Sequence, residues 1–292
     1  EENDSLLIFS GADFKATFNK QSGLLVSYLY KRHEFIQNGE GPRPFFWRAP
    51  IDNDYGAKLQ QKYVAWKAPD IRLVSLKNET VNNQIIISAE YDIRNVSAKL
   101  YLTYTINNKG AIKVNQKMVA DKNARVSNMF RFGMQLVMPE SFEYFSYYGR
   151  GPIENYNNRN HCTDLGIYNQ TVSEQFYSYI RPQENGTKTD IRWGKLLDIK
   201  GDGLQFVAEA PFSASALHYT IESLDEGWEK RQGHSQEIEE ADLTNVLIDK
   251  AQMGLACIDS WSALPEPEYM LPYGDYDFTF IMTPVQGHII VK

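Results

Sequence analysis

Residues 98–118 alternate apolar and polar side chains with a period of two, and this constrains the fold more than any other feature of the chain. In Ala98–Ile106, Leu100, Leu102, Tyr104 and Ile106 point one way while Lys99, Tyr101, Thr103 and Thr105 point the other. Asn107-Asn108-Lys109-Gly110 predicts a turn, after which Ile112, Val114, Gln116 and Met118 resume the alternation. That pattern is a hairpin of half-buried strands. Upstream, 71–76 and 84–91 add two more strands, separated by a polar stretch at 77–83. Downstream, 192–199, 204–210, 244–248, 253–258, 276–282 and 288–291 read as strands between breaks rich in Gly, Pro and Asp. The 18 tyrosines within a 13% aromatic content suit broad pleated surfaces better than helix faces.

Helix is scarce. Leu59, Tyr63 and Trp66 fall on one stripe and predict a short helix over 57–67, with a weaker candidate at 220–228. The expected fold is all-β, large sheets of antiparallel strands carrying two or three short helices. With no linker, repeat or low-complexity segment, residues 1–292 read as a single domain.

Charge excludes some partners. A net charge of −7 without a Lys/Arg cluster argues against nucleic acid and against an anionic membrane surface. No apolar run approaches the ~18 residues of a membrane span, and the acidic start Glu1-Glu2-Asn3-Asp4 is unlike a signal peptide. Cys162 and Cys257 both lie among apolar neighbours and are expected as buried free thiols.

Three loops are long, polar and flanked by strands: 47–56 (WRAPIDNDYG), 147–159 (YYGRGPIENYNNR) and 258–272 (IDSWSALPEPEYMLP). Irregular segments on a rigid β scaffold are where binding residues concentrate. Residues 48–56, RAPIDNDYG, closely resemble a signature of the C-terminal (small-chain, domain 5) region of glycoside hydrolase family 2 β-galactosidases. FNKQSGL at 18–24, YGRGPIENY at 148–156, PQENG at 182–186 and the Asp259-Ser260-Trp261 triplet extend the resemblance along essentially the whole chain in the family's order. One departure is local: Asn157-Asn158-Arg159 stands where the family often has Asp-Arg after its ENY stretch.

The resemblance implies a β-supersandwich of the galactose mutarotase type, following a catalytic barrel and two immunoglobulin-like domains. It implies a retaining hydrolase of terminal β-galactosides whose two catalytic glutamates, and whose Mg and Na ligands, lie on that barrel. A retaining glycosidase needs two carboxyls ~5–5.5 Å apart, and nothing here reproduces their local motifs. The chain is therefore expected to supply no catalytic residue and no metal ligand, and to complete the sugar pocket from one loop. By match of the triplet, the substrate contacts are Trp261, Ser260 and Asp259, with the indole offering a flat apolar face to a pyranose. Trp47, Trp66, Trp193 and Trp228 are read as core residues.

The remaining polar groups favour structural readings. Glu154 and Glu184 sit in turns, where a carboxylate accepts backbone N–H bonds. Asp52, Asn53 and Asp54 lack the spaced acids of a calcium loop, and Arg48 is on hand as an ion-pair partner. The five histidines show no metal-binding spacing. Two alternatives stay open: a free-standing carbohydrate-binding module, and an aldose 1-epimerase using an acid–base pair such as His218 with Glu184. Oligomerisation of a longer form, and either the bacterial periplasm or the cytoplasm, are compatible with the sequence.

Overall fold

The computed structural model describes residues 2–255, 259 and 262–287. Strands β1 (Leu6–Ser10), β2 (Phe14–Asn19), β3 (Leu25–Tyr30) and β4 (His33–Glu34) form a four-stranded antiparallel sheet. After β5 (Arg43–Phe45) come two single-turn helices, α1 (Asp52–Gly56) and α2 (Leu59–Lys62), and a 3-10 turn at Val64–Trp66. The rest is a twelve-stranded antiparallel sheet. It contains β5 with β6 (Ile71–Val81), β7 (Gln84–Ile93), β8 (Ala98–Ile106), β9 (Ile112–Ala120), β10 (Arg131–Pro139), β11 (Tyr144–Gly151) and β12 (Asp164–Thr171). Beyond them are β13 (Lys188–Leu197), β14 (Gly203–Leu217), α3 (Ile221–Leu224), β15 (Leu243–Gln252) and β16 (Tyr276–Val285).

The main path runs β12-β11-β13-β14-β16-β9-β8-β7-β6 and forks at β14. The first half of β14 pairs with β16 and the last five residues pair with β15, which pairs in turn with β10 and β5. Pro211 stands between the two halves, where a missing N–H breaks a ladder at least cost. Along β10, every residue from Arg131 to Met138 is buried, so both faces of this strand are covered.

The predicted hairpin is β8–β9, with Leu100, Leu102, Tyr104 and Ile106 buried on one face. The Asn107 side chain accepts from the Lys109 and Ala111 N–H groups, which closes the turn. The four-stranded sheet packs on this hairpin: Phe18 meets Tyr104 edge to face at 5.0 Å, and the Tyr28 hydroxyl donates to the Gly110 carbonyl.

Five expectations need correction. The loop over 147–159 begins only after Gly151, because Tyr147–Gly151 complete β11 and pair with β12. The stretch 77–83 is not a loop: β6 continues to Val81 and the reversal is Asn82-Asn83, both at positive φ, as a two-residue hairpin turn requires. Its polarity reflects a strand end wet on both faces. The helix over 57–67 is shortened and broken: Lys58 adopts φ 58° ahead of α2, and Tyr63, at φ −103°, separates α2 from the 3-10 turn, although Leu59, Tyr63 and Trp66 are buried. Residues 253–255 lie outside any strand, and the rest of 253–258, like 288–291, falls outside the described residues. Cys162 is exposed rather than buried, and Cys257 also falls outside the described residues. Among the described residues no helix is long and apolar enough to cross a membrane.

Candidate functional site

Arg48, fully buried, organises the first loop. Its Nη2 and Nε reach the two Asp54 oxygens at 2.8 and 3.0 Å, a bidentate pair. Its Nη1 donates to the Met253 carbonyl at 2.6 Å and, at 3.3 Å, to that of Gly254, while the guanidinium lies 4.5 Å over the Phe130 ring. Asp54 also accepts the Ile51 N–H at 3.0 Å and so fixes the first turn of α1, where a carboxylate suits the helix dipole. One ion pair thus ties the signature motif to the chain at 253–254. Further on, Asn53 donates to the Asp259 carbonyl at 3.5 Å. A Cβ at Gly56 would fall 3.0 Å from the Ser262 nitrogen, so a side chain there would press the third loop away from α1 by a few tenths of an ångström.

The second loop is held by Asn155, whose side chain donates to the Arg150 and Ile153 carbonyls and accepts from the Thr189 N–H and hydroxyl. Asn157 donates to the Gln252 carbonyl at 2.9 Å, and Asn158 accepts the Leu255 N–H at 3.0 Å. These two residues, where the sequence departs from the family pattern, connect the second loop to the segment leading into the third. Ile51, Tyr156 and Leu255 meet in one small apolar cluster. The three polar loops therefore converge.

Beneath them is a buried ionic group. Arg131 on β10 contacts Glu184 at 2.8 Å and Asp249 on β15 at 3.5 Å, with all three side chains 0–1% exposed. Gly133, opposite the bulge that Lys250 makes in β15, leaves room for Asp249: a Cβ there would fall 2.1 Å from its Oδ1. Burial pushes the Asp249 carboxyl up to about 7 and the nearby Glu184 charge adds to this, while Arg131 opposes it. Folding therefore takes up a proton between about pH 4, where an unfolded aspartate titrates, and pH 7. Stability should fall as pH rises through that window. Asp249→Asn should lose this slope and melt above the parent at pH 8; parallel melting-temperature profiles for the two proteins would contradict it. Lys188, also buried, is pulled down to about 8 by desolvation, which the Glu154 charge partly offsets.

A model of the β-galactosidase small chain matches residues 10–282. The chain belongs to that family. Curated relatives include β-galactosidases of Priestia megaterium, 33% identical over 98% of this chain, and of Lactobacillus delbrueckii, 31% identical over 92%. The chain spans about a quarter of their length, 27% and 26%. Among solved structures, a galactose mutarotase related enzyme and a galactose 1-epimerase, both of Lactobacillus acidophilus, superpose with TM-scores of 0.53. They are 11% and 12% identical, covering 98% and 99% of this chain and 99% and 97% of theirs. The fold is galactose mutarotase-like.

Asp259 sits beside α1 and its Oδ1 accepts the Ala263 N–H at 3.1 Å. Ser260 and Trp261 fall outside the described residues. Glu154 follows the structural reading, accepting from the Gly186 N–H at 2.8 Å, from Arg159 and from the Tyr179 hydroxyl. Glu184 departs from it: its carboxylate takes Arg131 and the Thr187 hydroxyl, and its own N–H donates to the Ala49 carbonyl. Asp52 pairs with Lys230.

His218 does not face Glu184; it bonds Glu143 and the Leu243 carbonyl. Trp47 and Trp66 are core residues, but Trp193 is half-buried, and Trp228 is 53% exposed because it lies past the end of α3. Among the described residues, His33, Asp198 and Asp202 form a group that could hold a metal ion. The imidazole addresses the two carboxylates through different nitrogens, at 3.7 and 3.3 Å, which suits separate ion pairs better than one shared cation. Sequence reasoning missed Arg131 and Asp249. The available signal was weak: Arg131 precedes the largely apolar run of β10 and Asp249 follows the Val246-Leu247-Ile248 run of β15, and a charge beside a buried run needs a partner.

Proposed function

We propose that this chain is the C-terminal, non-catalytic part of a glycoside hydrolase family 2 β-galactosidase, folding as a single domain and completing the sugar pocket of a retaining hydrolase of terminal β-galactosides. Asp259, Ser260 and Trp261 line that pocket, with Trp261 stacking on the sugar. The convergence of the three loops supports this reading most. Arg48, Asn53 and Asn158 grip the chain on the approach to and at the start of the Asp259–Trp261 triplet, which anchors the described residues that lead into it. The acids of this region are occupied by protein partners: Asp54 by Arg48, Glu154 by Arg159, Glu184 by Arg131. The catalytic carboxyl pair, with the Mg and Na ions, then belongs to a barrel elsewhere in the full protein.

The isolated chain should not turn over a chromogenic β-galactoside, and robust hydrolysis by it would refute the proposal. In the whole enzyme, Trp261→Ala should weaken substrate binding or transfer to sugar acceptors, by roughly 1–3 kcal/mol, the value of one apolar contact. Unchanged kinetics across several aglycones would remove Trp261 from the pocket.

A further inference from the structure

A sheet edge is a row of unpaired backbone groups, and proteins normally guard it with charge, proline, a bulge, shortness or a cover. Among the described residues the edges of this fold are β1, β4, β5, β6 and β12. Four of them are guarded. Strand β4 has two residues and β5 has three. The outer side of β1 is met at Leu7 by a bridge from Glu2. Strand β6 carries Arg72, Lys77 and Glu79 and bulges between Leu73 and Ser75. Strand β12 has none of these devices. It runs eight residues, DLGIYNQT, pairs with β11 without a bulge, and bears its one charge on its first residue.

The backbone of β12 is turned outwards at defined residues. The Val172 N–H bonds the Glu143 carbonyl on the β11 side, while the Thr171 N–H turns away to the Glu174 carboxylate. N–H groups alternate in direction along a strand, so those of Leu165, Ile167 and Asn169 point away from β11, with their carbonyls. Glu174 caps the row at Thr171 only. The side chains of Leu165 and Ile167 are 45% and 63% exposed on one face. Ile167 continues a row across the sheet through Tyr148, Trp193, Val207 and Ile281, each opposite the next. An apolar row thus runs out to an open edge.

We propose that β12 pairs antiparallel with β12 of a second copy of this chain, about a two-fold axis at Gly166, joining the two large sheets into one. In this register Leu165 lies opposite Ile167 of the second copy, and Ile167 opposite its Leu165. Both residues have outward N–H and C=O groups, so each pair exchanges backbone hydrogen bonds, and apolar side chains meet twice by symmetry. Charge permits the approach although each chain carries −7: Leu165–Asn169 is uncharged, and Asp164 falls opposite Tyr168 of the second copy rather than its Asp164. One strand pair falls below the ~1,200 Å² of stable interfaces, so the dimer is weak, with a Kd on the order of 0.1–1 mM. The inference does not depend on the Asp259–Trp261 loop.

Analytical ultracentrifugation of the 292-residue chain from about 10 μM to 1 mM, bracketing that affinity, should show a monomer–dimer equilibrium. Ile167→Lys, which supplies the missing guard, should weaken it at least tenfold. Ile167→Pro should do the same, because it removes an outward N–H and leaves the β11 ladder intact. Val74→Lys, on the exposed face of β6, should leave the equilibrium unchanged; melting curves confirm that the variants fold. In the parent, hydrogen exchange at the Leu165 and Ile167 amides should slow severalfold as concentration rises, while the Gly166 amide, turned towards β11, should not respond. A chain monomeric throughout this range overturns the proposal. So does a dimer that survives both Ile167 variants, or one lost in Val74→Lys.

Discussion

Arg131→Met should destabilise the chain by about 3–5 kcal/mol, the usual consequence of removing one partner from a buried ion pair. The guanidinium stands between Glu184 and Asp249 with all three side chains sealed from solvent. Methionine keeps much of the volume but leaves two carboxylates close together without a counter-charge. They can relieve the repulsion only by taking up protons, so the loss should be greater at pH 8 than at pH 5, where Asp249 is already protonated in the folded state. Urea unfolding at the two pH values measures this directly. The triple variant Arg131→Met, Glu184→Gln, Asp249→Asn should recover most of the loss, because neutral residues of similar shape often replace a buried ionic group without penalty. A single-variant cost under ~1 kcal/mol at both pH values would mean that the acids do not depend on Arg131.

How much of this was legible in the sequence follows from what each residue touches. Leu100, Leu102, Tyr104 and Ile106 announce their strand because one face is core and the other water, so period two is written in the side chains. The end of β6 carries no such contrast: Lys77 to Val81 are exposed on both faces, and only their backbone pairing makes them strand. The helix at 57–67 showed the right stripe, since Leu59, Tyr63 and Trp66 all reach the core, but its breaks lie in the backbone angles of Lys58 and Tyr63, to which hydrophobic periodicity is blind. At the site, the Arg48–Asp54 pair was legible because the partners lie six residues apart in a recognisable motif. The Arg131–Glu184–Asp249 group joins residues 53 and more positions apart, and no local pattern brings them together. The same holds for Asn158 and Leu255, 97 positions apart, whose bond links two loops that could be flagged only singly.

Arg48→Met should cost about as much, ~3–5 kcal/mol by the same argument, and should also loosen one loop selectively. Without the guanidinium, Asp54 loses both of its bidentate bonds, and the Met253 carbonyl loses a 2.6 Å donor. Hydrogen exchange should therefore quicken at the Gly254 and Leu255 amides, which bond Tyr269 and Asn158. The amides of β8 and β9 should change only as far as global stability falls. Arg48→Lys should not rescue the loop, because an ammonium cannot span the two Asp54 oxygens and the Met253 carbonyl at once. In the whole enzyme, assayed well below its melting temperature, the proposed pocket predicts that Arg48→Lys raises KM or weakens acceptor use in the same direction as Trp261→Ala. The double variant should then be less than additive, because each change removes the same contact, one by deleting the indole and the other by unfastening its base. Strict additivity would show that Arg48 acts on stability alone, and that the grip of the signature motif on residues 253–254 does not reach the sugar.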